Sequence, residues 1–170
     1  MAMLQKLHAG LIDRPVMVFL HGLGGDRIET WRHESCAPDD CWPHWVGRKT
    51  ECDVWTAGYD SALSGWTNSA MPLPDQGDQV LDLLSTESEL DDRRLVLVGH
   101  SMGGLVIKTV MINGVTKGDV RFKALVDRIQ AVVFLATPQV VRSSLASRVP
   151  SALCCARTSR LAISQFTMHT

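Results

Sequence analysis

The chain has 170 residues, of which 45% are hydrophobic, and this is enough to bury the core of one globular domain. Its 17 Lys and Arg residues nearly balance 18 Asp and Glu residues, and the net charge of -1 gives no electrostatic support for nucleic-acid binding. The five cysteines are an odd number without a CxxC spacing, so they indicate neither a disulfide framework nor a zinc site.

The N-terminal segment and the apolar runs argue against export and membrane insertion. Residues 1–15 lack the continuous apolar stretch of a secretory signal. The longest apolar runs have the length of a strand, well below the roughly 20 residues that a membrane-spanning helix needs. We therefore expect no transmembrane segment and a cytoplasmic protein, with association with an organelle or a membrane surface left open.

The first half of the chain contains two strand-like runs. Val16–Leu20 is uniformly apolar and ends at a glycine-rich segment, which is typical of a strand buried on both faces. Residues 53–59 have the pattern of a second strand. The region between them contains Trp31, Trp42 and Trp45, and its pattern does not distinguish helix from loop.

Residues 75–90 have apolar side chains at a spacing that approximates one helical face. This pattern predicts a packed helix. Asp75 or Asp78 is available to cap its N-terminal turn, because a carboxylate accepts hydrogen bonds from the free amides there.

The second half repeats the strand and helix alternation. Residues 95–98 are a pure apolar run, and the residues from Gly103 to about Gly114 have the spacing of a buried helix. A short helical or irregular segment over residues 122–128 precedes a last strand over residues 131–135. The alternation predicts an α/β fold with a mostly parallel sheet flanked by helices, in which sites form beyond the carboxyl ends of strands.

A GxSxG pentapeptide lies between a predicted strand and a predicted helix. Its residues are Gly99-His100-Ser101-Met102-Gly103. A nucleophile elbow turns so sharply that side chains at both glycine positions would collide with neighbouring elements, and it presents one hydroxyl at the sheet edge. We therefore predict Ser101 as a catalytic nucleophile with His100 packed beside it, the alternative being a solvent-facing serine on a glycine-rich turn.

A second glycine-rich segment directly follows the first predicted strand. Its residues are His21-Gly22-Leu23-Gly24-Gly25. Backbone N–H groups of such a loop stabilise the negative charge that develops on a carbonyl oxygen during acyl transfer. We predict an oxyanion hole formed by the N–H of Met102 and an N–H at Gly22 or Leu23. His21 is expected to shape the loop, because the chain order usual for this fold is Ser, acid, His.

These motifs, with several aromatic residues between them, resemble the serine-active-site-containing, lipase-like α/β hydrolases over roughly residues 15–138. The matching residues are His21-Gly22-Leu23-Gly24-Gly25-Asp26, Thr30-Trp31, Trp42-Pro43, Trp45, Gly58-Tyr59-Asp60 and Gly99-His100-Ser101-Met102-Gly103-Gly104-Leu105-Val106. The family is related to deacylases that remodel GPI anchors and to hydrolase domains fused to nucleotide-binding or repeat modules. The resemblance implies esterase chemistry on a small-molecule or lipid ester, within a larger multidomain protein.

The chain departs from that family after the last predicted strand. The family's counterpart of residues 134–138 continues with His and a Gly-Ser pair, whereas residues 139–141 are Gln, Val and Val. The family also has its acid and its base histidine further along, and only His169 follows the elbow here. His169 is next to the C-terminus, where fraying is expected. Asp119 and Asp127 precede the last strand, and we expect them to be surface carboxylates.

We therefore predict one partial α/β-hydrolase domain over residues 1–170, with its core over about residues 15–138 and a tail of uncertain structure over residues 139–170. The C-terminal part of the fold is then missing, and the acid and base are expected beyond Thr170. The predicted activity is hydrolysis of carboxylic esters through a Ser101 acyl-enzyme, without a metal or an organic cofactor. The alternative is a catalytically incomplete hydrolase-like module with a regulatory or binding role.

Overall fold

The computed structural model describes residues 2–32, 41–61 and 72–138. The strands are β1 (Met3–His8), β2 (Val16–Leu20), β3 (Asp53–Gly58), β4 (Leu95–His100) and β5 (Ile129–Leu135). The helices are α1 (Trp42–Thr50), α2 (Leu73–Thr86), α3 (Met102–Thr116) and α4 (Val120–Asp127). The predictions for residues 139–170, His169 among them, lie outside the described residues.

The five strands form one sheet in the order β1-β3-β2-β4-β5. β1 is antiparallel to β3, and every other pair is parallel. The chain leaves β2 to form β3 on one side and then passes to the other side of β2 to form β4. Sites in open α/β sheets lie beyond the carboxyl ends of strands where the order reverses in this way. The observed sheet confirms the predicted fold class.

Both faces of β2 are buried, as its uniform hydrophobicity predicts. Val18 and Leu20, each 0% exposed, belong to a cluster with apolar side chains of α2, α3 and α4. Phe19, 1% exposed, points to the opposite face. Its ring packs edge-on against Trp31 and Trp42, with centroid distances of 5.2 and 5.4 Å. Burial of each such side chain contributes roughly 1.5–3 kcal/mol, so β2 is anchored between two helical layers.

Helix α2 differs from its prediction at both ends. It begins at Leu73 and ends at Thr86, and a short 3₁₀ turn, Ser88–Leu90, follows it. The prediction that Asp75 or Asp78 caps the helix is wrong, because no side chain caps its N-terminus. The Asp78 carboxylate instead accepts a hydrogen bond from Asn113 and pairs with Lys117, 2.6 Å away. Asp78 therefore ties α2 to α3.

Two elements form where no single prediction was made. Strand β1 lies at the edge of the sheet, and its residues are half-buried or exposed, so they show no apolar run. Helix α1 forms in the tryptophan-rich region, with Pro43 in its first turn, where a missing N–H costs nothing. None of the helices in the described ranges combines the length and the hydrophobicity needed to span a bilayer.

A buried carboxylate joins three segments at the amino end of β3. Asp53 is 5% exposed; its side chain accepts hydrogen bonds from the Gly10 N–H at 2.7 Å and from Arg93 at 2.8 Å. Lys6 lies 3.6 Å away. Burial alone would raise the pKa of Asp53, but these three groups together lower it below its ordinary value. The carboxylate thus fixes the segments before β2 and β4 to the start of β3.

We expect Asp53→Asn to lower the free energy of unfolding by roughly 2–3 kcal/mol at neutral pH, because it removes the charge from a buried ion pair. The folded-state pKa is lowered, so this contribution is present above the pKa of the unfolded chain and is lost as the pH falls below about 4. Urea unfolding at a series of pH values measures it.

The matched control is Glu89→Gln. Glu89 forms an ion pair with Lys6 at 2.7 Å, but its side chain is 56% exposed, so its loss should cost less than about 1 kcal/mol. Equal losses for the two variants, or a difference that persists at low pH, would contradict the role assigned to Asp53.

Candidate active site

The ends of four parallel strands lie in register at one edge of the sheet. Leu20 of β2 pairs with Ala57 of β3 and with Gly99 of β4, and Gly99 in turn pairs with Phe134 of β5. The residues two positions further along each strand therefore leave the sheet side by side. In the order of the strands, these residues are Tyr59, Gly22, Ser101 and Ala136.

Ser101 occupies the sharp turn between β4 and α3. Its backbone angles, φ 51° and ψ −119°, are rare for a residue with a side chain. The turn is held by the Ser101 N–H, which donates to the Leu135 carbonyl at 2.8 Å, and by the Gly104 N–H, which donates to the Ser101 carbonyl at 3.2 Å. Among the described residues, no hydrogen bond uses the Ser101 hydroxyl. The hydroxyl is thus presented outside the helix and is not engaged by the fold.

The two motif glycines are required by close backbone contacts. A Cβ atom at Gly103 would lie 2.3 Å from the Leu20 carbonyl oxygen and 2.5 Å from that of His21. A Cβ atom at Gly99 would lie 2.6 Å from the Cα of Gly104. The first turn of α3 therefore packs directly on the end of β2, at the distance that the sequence motif implies.

The glycine loop, residues 21–25, lies against the elbow. A Cβ atom at Gly22 would be 3.0 Å from the Ser101 Cβ. The amides of Gly24 and Gly25 are occupied, because they donate to the Ser61 and Gly22 carbonyls at 2.7 and 3.1 Å. Within the part of the chain that the structure describes, the amides of Gly22, Leu23 and Met102 have no acceptor. The three residues predicted as oxyanion donors thus have free amides in the loop and turn around Ser101.

His21 lies beneath the glycine loop and is 1% exposed. Its ring stacks on Tyr59 with a centroid distance of 4.4 Å, and its Nδ1 donates to the Gly22 carbonyl at 2.9 Å. Nε2 accepts a hydrogen bond from the Tyr59 N–H at 3.5 Å. Burial lowers the pKa of His21, an effect that the Gly22 carbonyl and Asp26 partly offset. The neutral ring is fully engaged, so His21 shapes the loop, as predicted, and has no nitrogen left for Ser101.

His100 packs beside the elbow, as the sequence predicts. Its ring meets Trp31 edge-on at a centroid distance of 6.0 Å. Its Nδ1 is buried and has no hydrogen-bond partner among the described residues; a Cβ atom at Gly22 would lie 3.3 Å from it. His100 therefore fills the space between the glycine loop and the aromatic cluster of the opposite face.

The two carboxylates considered as the acid lie on the surface of α4. Asp119 caps the helix by accepting from the Arg121 N–H at 2.8 Å, and it also pairs with the Arg121 guanidinium. Asp127 pairs with Lys123 at 2.6 Å, and its side chain is 61% exposed. Both are surface carboxylates, as predicted.

Two contributors to the site have no signal in the sequence pattern beyond their place after a strand. Tyr59, known before only as part of the family resemblance, touches His21 through its ring, its amide and its hydroxyl. Thr137 lies after β5, and its hydroxyl is 3.4 Å from the Gly99 carbonyl. A Cβ atom at Gly104 would clash with this threonine, so the turn is closely packed on both sides.

The sequence profile of the alpha/beta hydrolase family matches residues 17–165. This chain belongs to that family. Among curated proteins, Protein SERAC1 of Danio rerio is 27% identical over 72% of this chain and 21% of its own length. Protein SERAC1 of Mus musculus is 28% identical over the same shares. The chain therefore spans about a fifth of the length of these relatives.

Solved structures share the fold at low sequence identity. Bacillus licheniformis lipase BlEst2 superposes with a TM-score of 0.54 at 17% identity, over 81% of this chain and 47% of that one. MenH from S. aureus superposes with a TM-score of 0.50 at 17% identity, over 84% and 45%. Together with the family match, these likenesses confirm the resemblance to lipase-like α/β hydrolases.

We expect Gly103→Ala to lower the free energy of unfolding by about 1–3 kcal/mol, because the added methyl group would overlap two carbonyl oxygens that cannot move independently. Thermal or urea unfolding measures the loss. Gly58→Ala in β3 is the control, since the nearest atom to its Cβ is the flexible Arg27 Cδ at 3.3 Å. A Gly103→Ala variant as stable as the control would show that α3 does not rest on the end of β2.

Proposed function

We propose that this chain is a serine hydrolase that cleaves carboxylic esters, lipid acyl esters among them, through an acyl-enzyme on Ser101. One observation carries the proposal. The unengaged Ser101 hydroxyl stands on a strained turn that contacts Gly22, and the amides of Gly22, Leu23 and Met102 have no acceptor within the described residues. A nucleophile and several free N–H donors are the two components that acyl transfer requires.

In the proposed reaction, Ser101 Oγ bonds to the ester carbonyl carbon while its proton passes to a base. The carbonyl oxygen becomes negatively charged and is stabilised by the free amides, each worth about 2.7–4 kcal/mol in comparable enzymes. The amino end of α3 favours the same charge. The bond to the alcohol then breaks, the alcohol leaves with the proton, and water hydrolyses the acyl-enzyme to the acid and free Ser101. The reaction needs no metal or organic cofactor.

The base is proposed to come from outside the described residues. His21 has both ring nitrogens engaged, and no hydrogen bond joins His100 to the Ser101 hydroxyl within residues 2–32, 41–61 and 72–138. Without an imidazole to accept its proton, a serine hydroxyl is a weak nucleophile. An acid and a histidine supplied by other residues would complete the triad.

That same observation favours a second candidate function. A hydrolase-like module without a base would bind an ester or an acyl group in the site without turning it over, and it would serve in recognition or regulation. Because the chain spans about a fifth of its curated relatives, we propose that either function is exercised within a larger multidomain protein. The cytoplasmic location, the lack of nucleic-acid binding and the single partial domain over residues 1–170 stay predictions.

We expect a fluorophosphonate probe to label the chain, and Ser101→Ala to lower labelling at least about 1,000-fold, because the reacting oxygen is removed. Hydrolysis of p-nitrophenyl butyrate should fall in parallel. Gel fluorescence and absorbance measure the two activities.

Ser85→Ala is the matched control, since Ser85 lies on α2 and its hydroxyl bonds only the preceding turn of that helix. It should label at the wild-type rate. Labelling that survives in Ser101→Ala would refute the assignment of the nucleophile. Binding of the ester by a chain that shows neither labelling nor turnover would reject the hydrolase in favour of the second candidate.

A further inference from the structure

Tyr59 makes three separate contacts with one residue of the glycine loop. It follows β3, is 6% exposed, and stacks its ring on the His21 imidazole with planes 10° apart. Its N–H donates to His21 Nε2, and its hydroxyl donates to the His21 carbonyl oxygen. A buried tyrosine hydroxyl needs an acceptor, and here the acceptor is a backbone group of the loop.

The acceptor is the group that determines where the Gly22 amide points. The His21 carbonyl and the Gly22 N–H belong to one planar peptide group, in which the two bonds point in opposite directions. A hydrogen bond that fixes the carbonyl therefore fixes the amide. Since His21 is 1% exposed, little water is available to replace the Tyr59 hydroxyl as a donor.

The next peptide group is held through the His21 side chain. The Gly22 carbonyl accepts from His21 Nδ1 at 2.9 Å and from the Gly25 N–H at 3.1 Å. This carbonyl shares its plane with the Leu23 N–H, the second predicted donor of the loop. The stacked Tyr59 ring keeps the imidazole in place, so Tyr59 acts on the Leu23 amide indirectly.

A third tie comes from the same segment after β3. The Ser61 carbonyl accepts from the Gly24 N–H at 2.7 Å, and the Ser61 hydroxyl lies 3.4 Å from His21 Nδ1. Residues 59–61 thus hold the loop at successive peptide groups, while the Gly22 and Leu23 amides are left without an acceptor among the described residues.

We propose that Tyr59 is a positioning residue for ester hydrolysis: through His21 it fixes the peptide planes of Gly22 and Leu23 so that their amides face the oxyanion formed at Ser101. This inference rests on the proposed function. Tyr59 itself touches neither substrate nor the reacting atoms. Because the oxyanion exists only in the transition state and the intermediate, loose amides slow acylation and leave substrate binding nearly unchanged.

Tyr59→Phe tests the proposal, because it keeps the stacked ring and removes only the hydroxyl. We expect the rate constant for fluorophosphonate labelling, and kcat for p-nitrophenyl butyrate, to fall about tenfold, less than the loss of a whole donor. KM should stay within about twofold. Amide hydrogen exchange of residues 21–25 should become faster, and this readout does not depend on catalysis.

Thr56→Val is the matched control. Thr56 lies on β3, is 0% exposed, and its hydroxyl has no partner among the described residues. The variant removes a buried hydroxyl from the same strand without touching the loop. It should match the wild type in labelling, kcat and exchange, so a general loosening of β3 is separated from the specific effect of Tyr59.

The outcomes separate this inference from the proposed function. If the wild type is labelled at Ser101 and Tyr59→Phe shows the same rate and the same exchange, the positioning role is refuted and the hydrolase stands. If the wild type is not labelled, the proposed function fails, and exchange at Gly22 and Leu23 alone decides whether Tyr59 holds the loop.

A second pair of variants covers a Tyr59→Phe protein that does not fold. His21→Asn keeps an amide donor close to the position of Nδ1, whereas His21→Ala keeps none. The labelling rate of the asparagine variant should lie between those of the wild type and the alanine variant. An alanine variant that is labelled as fast as the wild type would overturn the proposal.

Discussion

Parallel hydrogen bonding between β2 and its two neighbours determines where every residue of the candidate site leaves the sheet. Leu20 is paired on both sides, with Ala57 and with Gly99, so the three chains emerge at the same level. A slip of one residue would turn the inward side chains of β2 to the opposite layer. Because both layers are filled with buried side chains, that slip is strongly unfavourable, and the alignment of Gly22 with Ser101 follows from core packing.

The site is built mainly from backbone groups that neighbouring side chains hold in place. The glycines at positions 22 and 103 let two chain segments approach to contact distance. Tyr59 and His21 then occupy the carbonyls whose peptide groups carry the free amides. The histidine that precedes the loop thus has a mechanical task, and its burial in neutral form keeps its proton exchange separate from that of Ser101.

The sequence was most informative where a local pattern has a local cause. Val16–Leu20 is apolar because both faces are covered, and Ser101 is recognisable because the elbow excludes side chains on either side of it. It was uninformative where the cause lies elsewhere in the fold. The edge strand β1 buries too little to show a pattern, Asp78 was drawn from its expected cap by α3, and Tyr59 acquires its contacts only through the register of β2 and β3.

The backbone of Ser101 has a consequence for how this protein tolerates change. A residue with a side chain held at φ 51° costs of order 1–3 kcal/mol, which glycine at the same place would largely avoid. The turn at position 101 is thus a point where folding stability and chemical capability oppose each other. Variants selected only for thermal robustness would be drawn toward losing the hydroxyl, whereas the surrounding core would reward no such exchange.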